Sequence, residues 1–227
     1  MGKKIIRPEA VPLMAVVDKH SPLAEQCRII RSNIEFSAVD REIKTIAITS
    51  SGVSEGKSTA AANLAVVCAE DGKKVLLVDA DLRRSTVHLT FKVRNDRGLS
   101  TLLSSKTKTI AENLCETPIK NLSVLPAGPK PPNPSEMLGS RKMSDILQQL
   151  RSQYDVVIFD LPPLGIITDT QLLASKVDGT LLVVRENVTK KEALRKSRDL
   201  LVLSKANVIG VLYNKERDSE NAYYYIG

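Results

Sequence analysis

Two short runs, Val75–Val78 and Val156–Phe159, are apolar at every position. A strand with one face in water alternates polar and apolar residues, whereas a strand covered on both faces of a parallel sheet does not. Related runs at 43–49, 122–125, 180–184 and 208–212 predict further strands. Between them apolar residues recur at helical spacing over 60–69, 135–152, 168–176 and 189–204, with shorter helical stretches at 100–104 and 110–115. Ahead of the first strand, Leu23, Cys27, Ile30 and Ile34 form the stripe of a helix over 22–38. Strand and helix alternate throughout, which predicts an α/β fold: one doubly wound, mostly parallel sheet.

The pattern also sets boundaries. Residues 1–20 carry Pro8 and Pro12 and read as an arm extended over the surface. Residues 21–215 hold all the periodic segments and read as one domain. Residues 216–227 form a polar tail, and the proline-rich stretch 126–134 is a stiff loop. Aromatics are only 4% of the 227 residues and Trp is absent, so the core is built from Val, Ile, Leu and Ala. No apolar run approaches the roughly 18 residues of a membrane span. Three scattered cysteines, Cys27, Cys68 and Cys115, give no disulfide or metal framework and suit a reducing cytosol. His20 and His88 have no partners at ligand spacing. The formal charge is +7, and its densest block is Lys190, Lys191, Arg195, Lys196 and Arg198. That block lies on a helix without interleaved aromatics, so it reads as a solvated face and no nucleic-acid partner is expected.

Candidate chemistry begins at the end of the first strand. Ser51–Gly52–Val53–Ser54–Glu55–Gly56–Lys57–Ser58–Thr59 lies between a strand and a helix, the setting of a phosphate-binding loop. Its backbone N–H groups and the helix start supply partial positive charge. Lys57 adds a full charge for the β- and γ-phosphates, and the Ser58 hydroxyl is a Mg²⁺ ligand. Ser51 stands where the G-x-x-x-x-G-K-[ST] pattern has its first glycine, and Gly52 next to it is able to make the tight turn. Two further strands end in acids, Asp79 with Asp81 and Asp160. In a parallel sheet these ends share one edge and converge on a Mg²⁺–nucleotide. Asp160, after an apolar strand, suits the metal side. One of Asp79 and Asp81 is then free to accept a proton from an attacking hydroxyl. Taken singly, each acid has a lesser reading as a helix cap or a turn residue, which weakens further when all three are taken together. Three of the chain's five tyrosines, Tyr223, Tyr224 and Tyr225, crowd the tail, where a core role fails. Glu25, Arg28 and Arg31 share a helix face, which serves either local helix support or docking on an acidic surface.

From about Ser21 to Tyr225 the chain resembles the bacterial tyrosine kinases of the capsule and exopolysaccharide type, the BY-kinases. The loop 51–59 resembles their Walker A motif, Val75–Arg83 with its D-x-D-x-R the Walker A′ motif, and Val156–Pro162 the Walker B motif. Pro131–Leu138 resembles their proline loop. The resemblance implies a P-loop fold that uses ATP and Mg²⁺. Lys57 would bind phosphates, and Ser58, Asp81 and Asp160 would hold the metal. Asp79 would be the base, with its role exchangeable with that of Asp81. Asn214 is similar in position to the adenine-reading Asn of related ATPases. Glu25, Arg28 and Arg31 match the E-x-x-R-x-x-R motif of a ring-shaped oligomer, and the tail tyrosines match the autophosphorylation cluster. The implied partners are further copies of the chain, the cytoplasmic tail of a membrane adaptor and a cognate phosphotyrosine phosphatase. The adaptor would bring a cytoplasmic protein to the inner face of the membrane. The rival reading is a partition- or division-type ATPase switch on the same fold. Those switches carry a signature Lys at the second loop position, which is Gly52 here. A scaffold that uses nucleotide only to assemble is a third reading.

Overall fold

The computed structural model of the protein describes residues 9–37, 42–105, 107–165 and 168–214. Helices α1 (Met14–Val17) and α2 (Pro22–Ser37) precede β1 (Thr45–Ser50), α3 (Lys57–Glu70) and β2 (Val75–Asp79). Then come α4 (Val87–Phe91), α5 (Leu99–Ser104), β3 (Cys115–Glu116), β4 (Leu122–Leu125), α6 (Pro134–Gly139) and α7 (Arg141–Gln153). The series closes with β5 (Val156–Asp160), α8 (Asp169–Ala174), β6 (Gly179–Arg185), α9 (Lys191–Leu203) and β7 (Val208–Asn214).

The strands form one sheet in the order β3-β4-β2-β5-β1-β6-β7. Every neighbouring pair is parallel except β3 with β4, so the doubly wound, mostly parallel sheet is what the chain adopts. Strand β5 lies between β1 and β2. The three strands whose ends carry the candidate chemistry are therefore adjacent, at the carboxyl edge where such sheets bind ligands.

Period-two alternation sorts the strand residues between two helical layers. Ile46, Ile48, Val75, Leu77 and Ile158 face α3 and α2, while Ala47, Leu76, Val78, Val157 and Phe159 face the layer containing α5, α6 and α7. Helix α3 has the sheet on one side and α1 and α2 on the other, and every residue from Ala61 to Ala69 is buried. An all-round apolar helix is what such a position requires. Its one polar residue there, Asn63, fastens the N-terminal segment: Oδ1 accepts the Ala15 N–H at 3.0 Å and Nδ2 donates to the Pro12 carbonyl at 2.9 Å. Residues 9–20 thus depart from the expected extended arm, since α1 docks with Ala15 fully buried.

The expected helix over 135–152 is two helices. Ser140 ends α6, and its Oγ accepts the Met143 N–H at the start of α7. Cys27 and Cys68 are buried, and burial pushes their thiols up to about 11 and about 12, so they serve as core residues. No helix among the described residues is long and apolar enough to cross a membrane.

Candidate nucleotide and metal site

Residues 51–56 connect β1 to α3 and are braced from three directions. Glu55, buried in the loop, turns its carboxylate back to accept the Ser51 N–H at 2.9 Å. Arg185, at the end of β6, donates from Nη1 to the Ser54 carbonyl at 3.2 Å. Asn214, at the end of β7, donates from Nδ2 to the Glu55 carbonyl at 3.2 Å. Gly56 then enters α3 at φ +97°, where a Cβ would lie 2.5 Å from Asn214 Nδ2. Glycine is needed here for both conformation and space. Beyond it, the first turn of α3 presents N–H groups without intrahelical partners. A cleft of about 500 Å³ opens over the loop, with Lys57, Ser58, Thr59, Asp81, Arg84 and Arg185 among its walls.

The acids stand behind Lys57. Register pairs Asp79 with Asp160 across β2 and β5. Lys57 Nζ lies 3.2 Å from Asp81 Oδ2, 3.2 Å from Asp160 Oδ1 and 3.1 Å from Ser58 Oγ. The expected convergence of Lys57, Ser58, Asp81 and Asp160 is thus a set of direct contacts. Asp79 sits deeper. Its Oδ2 accepts the Thr86 and Val87 N–H groups at 3.0 Å each, and its Oδ1 accepts the Asp81 N–H at 3.3 Å. Three of its roughly four acceptor positions are taken, and the carboxylate caps the start of α4.

One ammonium shared by three buried carboxylates leaves the cluster with excess negative charge. Burial alone would lower the Lys57 pKa, but Asp160, Asp81 and Asp79 outweigh it and hold the ammonium charged. Burial raises Asp160 despite the nearby Lys57. Burial, then the charge of Asp160, pushes Asp79 up to about 8. Asp160 Oδ2 is buried and has no hydrogen-bond partner among the described residues. An unpartnered oxygen in a charge-rich site beside a serine hydroxyl fits a divalent cation. No group of three or more His, Cys, Asp or Glu among the described residues forms a metal cage. Mg²⁺ needs none, because it takes one or two carboxylates and completes its shell with water and phosphate.

Glu25, Arg28 and Arg31 lie apart from this site. On α2, Arg28 pairs with Glu25 at 2.8 Å and donates to the Lys19 carbonyl at 2.7 Å, while Arg31 reaches Asp71 beyond the end of α3 at 2.9 Å. Tyr223, Tyr224 and Tyr225 lie outside the described residues. Sequence reasoning placed Glu55 in the loop and Arg83 in the D-x-D-x-R motif without giving either its partner, and it passed over Arg185 and Asp169. Arg185 carried the signal that marked the aspartates, a charged residue ending an apolar strand, but with the opposite sign.

Comparison with known proteins agrees with this geometry. A family model described as an AAA domain matches residues 43–195. Tyrosine-protein kinase YwqD of Bacillus subtilis is 42% identical over 212 residues, covering 93% of this chain and 89% of that protein. The crystal structure of the chimerical protein CapA2B2 superposes with a TM-score of 0.86 at 37% identity, covering 95% of each chain. The septum site-determining protein MinD of Pyrococcus horikoshii, solved with Mg-ADP, reaches 0.62 at 24% identity over 74% of this chain and 69% of that one, and shares the fold. With the paired acids of β2 and β5 set against the loop lysine, and relatives at this identity over nearly the whole chain, the protein belongs to the bacterial tyrosine kinases of the capsule and exopolysaccharide type, on a P-loop NTPase fold.

Proposed function

We propose that this chain transfers the γ-phosphoryl group of ATP to protein tyrosine, with its own Tyr223, Tyr224 and Tyr225 as acceptors. The observation that carries the reading is Lys57 held 3.2 Å from both Asp81 and Asp160, at the edge where three strands and the phosphate loop meet. The loop 51–59 and the start of α3 would hold the β- and γ-phosphates, with Lys57 turning from its carboxylates to the nucleotide. Ser58, Asp81 and Asp160 would hold Mg²⁺, partly through water. The ion supplies neutralisation of charge on the phosphates. Asn214, whose amide packs on Gly56, would lie beside the adenine.

Asp79 is our proposed base, with Asp81 as its alternate. A carboxyl pushed up to about 8 binds protons well, and one acceptor position on Oδ1 is left open. Asp81 has the better access, since it lines the cleft. Phosphoryl transfer otherwise needs positioning and charge more than covalent chemistry from the protein.

Glu25, Arg28 and Arg31 would join copies of the chain in a ring, within which one copy's tail reaches another's site. Added phosphate charge at a crowded subunit boundary would loosen the ring. The adaptor's cytoplasmic tail would activate the kinase and keep it at the membrane, a phosphotyrosine phosphatase would reset it, and the cycle would regulate capsular or exopolysaccharide synthesis and export. The test is mass analysis of the tail after incubation with ATP and Mg²⁺, with and without an adaptor tail peptide. A tail that stays unmodified with the peptide present would end the kinase reading.

A further inference from the structure

Arg83 follows Asp81 by two residues and is bonded outside the residues that line the nucleotide cleft. Its Nε donates to Asp169 Oδ2 at 2.9 Å and its Nη2 to Asp169 Oδ1 at 3.3 Å, a fork-to-fork grip. Asp169 opens α8 and is fully buried, with Ser135 Oγ also donating to its Oδ1. Arg83 Nη2 reaches the same Ser135 Oγ at 3.3 Å. Ser135 lies on α6, within the proline loop. One guanidinium therefore ties together the loops that leave β2, β4 and β5 at the carboxyl edge.

The near side of this knot is the turn that aims Asp81. Arg84 N–H bonds the Asp81 carbonyl at 3.2 Å and the Asp81 Oδ1 at 3.0 Å, leaving Oδ2 toward Lys57. The turn 81–84 thus sets the orientation of the Asp81 carboxylate. Between the two ends of that turn, Arg83 is anchored to a buried acid on another element.

We infer that Arg83, gripping Asp169 and Ser135, is a positioning residue that fixes the carboxylate of Asp81 for the divalent cation. The inference rests on the reading of Asp81 as a metal-holding group. Arg83 is not among the residues that line the nucleotide cleft. Its side chain bonds Asp169 and Ser135 and acts on the Asp81 carboxylate through the turn 81–84; loss of a direct partner behind a metal-ligating group weakens metal affinity or activity by roughly 10- to 100-fold, and the lower end of that range is expected here. Lysine is only a partial substitute, because it keeps the charge but a point charge on a flexible stem cannot grip both oxygens.

The test separates metal from nucleotide. Binding of a fluorescent ADP is measured in EDTA, and binding of Mn²⁺ is measured in saturating ADP by electron spin resonance, for wild type, R83Q, R83K and D169N. We expect ADP affinity in EDTA within about twofold of wild type in all variants. Mn²⁺ affinity should fall about tenfold in R83Q and D169N and by a smaller factor in R83K, with the double variant R83Q/D169N no worse than either single. Unchanged Mn²⁺ affinity in both R83Q and D169N would overturn the inference. So would ADP and Mn²⁺ binding falling together in R83K, which marks a general packing role. Wild type that binds ADP but no Mn²⁺ would instead refute the metal site itself, whatever Arg83 does.

Discussion

Replacing Lys57 with Met tests the charge balance of the site separately from its chemistry. Lys57 is the one cation in direct contact with Asp81 and Asp160 among the described residues, at 3.2 Å from each, and its side chain is 13% exposed against 6% and 1% for theirs. At an effective dielectric of about 20, each contact represents about 5 kcal/mol of attraction, most of it offset by removing the groups from water. Methionine fills similar space and leaves the carboxylates buried without their counter-ion, and breaking a buried pair in this way costs about 3–5 kcal/mol. Because burial already raises Asp160 and Asp79, protonation relieves part of the cost, and relieves more at low pH. The expected loss is therefore near the lower end, about 3 kcal/mol at pH 8 and less at pH 6, in protein freed of metal by EDTA. For a chain of this size that is a fall in Tm of about 6–12 °C. Urea unfolding at both pH values measures it. Mg²⁺ should stabilise K57M more than wild type, since it supplies the missing positive charge. A K57M protein that unfolds at the wild-type urea concentration at pH 8 would refute the charge argument, even with kinase activity abolished as expected.

Three other changes bear on separate parts of the account. Gly56→Ala places a methyl at φ +97° against Asn214, so we expect about 1–2 kcal/mol of lost stability from backbone strain and at least a tenfold loss of ADP affinity, read by unfolding and fluorescence titration. Folded Asp79 keeps its proton to about pH 8, whereas unfolded Asp releases it near 4. Folding thus takes up a proton in that window and metal-free stability falls as pH rises from about 4 to about 8. D79N should flatten this slope, and an unchanged slope would reassign the effect. Replacing Glu25, Arg28 and Arg31 together with Ala should leave a smaller species in light scattering. R31A alone loses the tie to Asp71, a half-exposed pair worth no more than about 1 kcal/mol, so unfolding of the single variant separates assembly from stability.

What the sequence made legible was what local pattern controls. Unbroken apolar runs marked β2 and β5 as interior strands, and the acids ending them marked the functional edge. The misses have non-local causes. Helix α4 is five residues long, and the carboxylate at its start comes from Asp79, seven residues upstream on a strand. Strand β3 is two residues long and is defined only by its antiparallel pairing with β4. The break at Ser140 was hidden because Met137, Leu138, Met143 and Leu147 keep an apolar rhythm across it. The docking of α1 depends on Asn63, a polar residue inside an apolar helix whose partners lie about fifty residues away.

The site divides in the same way. Strand ends gave Asp79, Asp81 and Asp160, but only the order β2-β5-β1 makes Asp79 and Asp160 neighbours and lets Lys57 reach the acids from both strand ends. Asn214 drew notice through its likeness to an adenine-reading residue, while in the fold it also braces the phosphate loop through the Glu55 carbonyl. The clamp from Arg83 to Asp169 joins residues 86 positions apart, with no periodicity to announce it.

The central claim is that this site phosphorylates tyrosine in the tail. It is tested most directly by mass spectrometry of the intact protein and its C-terminal peptide after incubation with ATP, Mg²⁺ and an adaptor tail peptide. The account predicts phosphate on one or more of Tyr223, Tyr224 and Tyr225 in wild type and none in K57M. A wild-type tail that remains unmodified while the protein binds and hydrolyses ATP would contradict it and favour a nucleotide-driven switch.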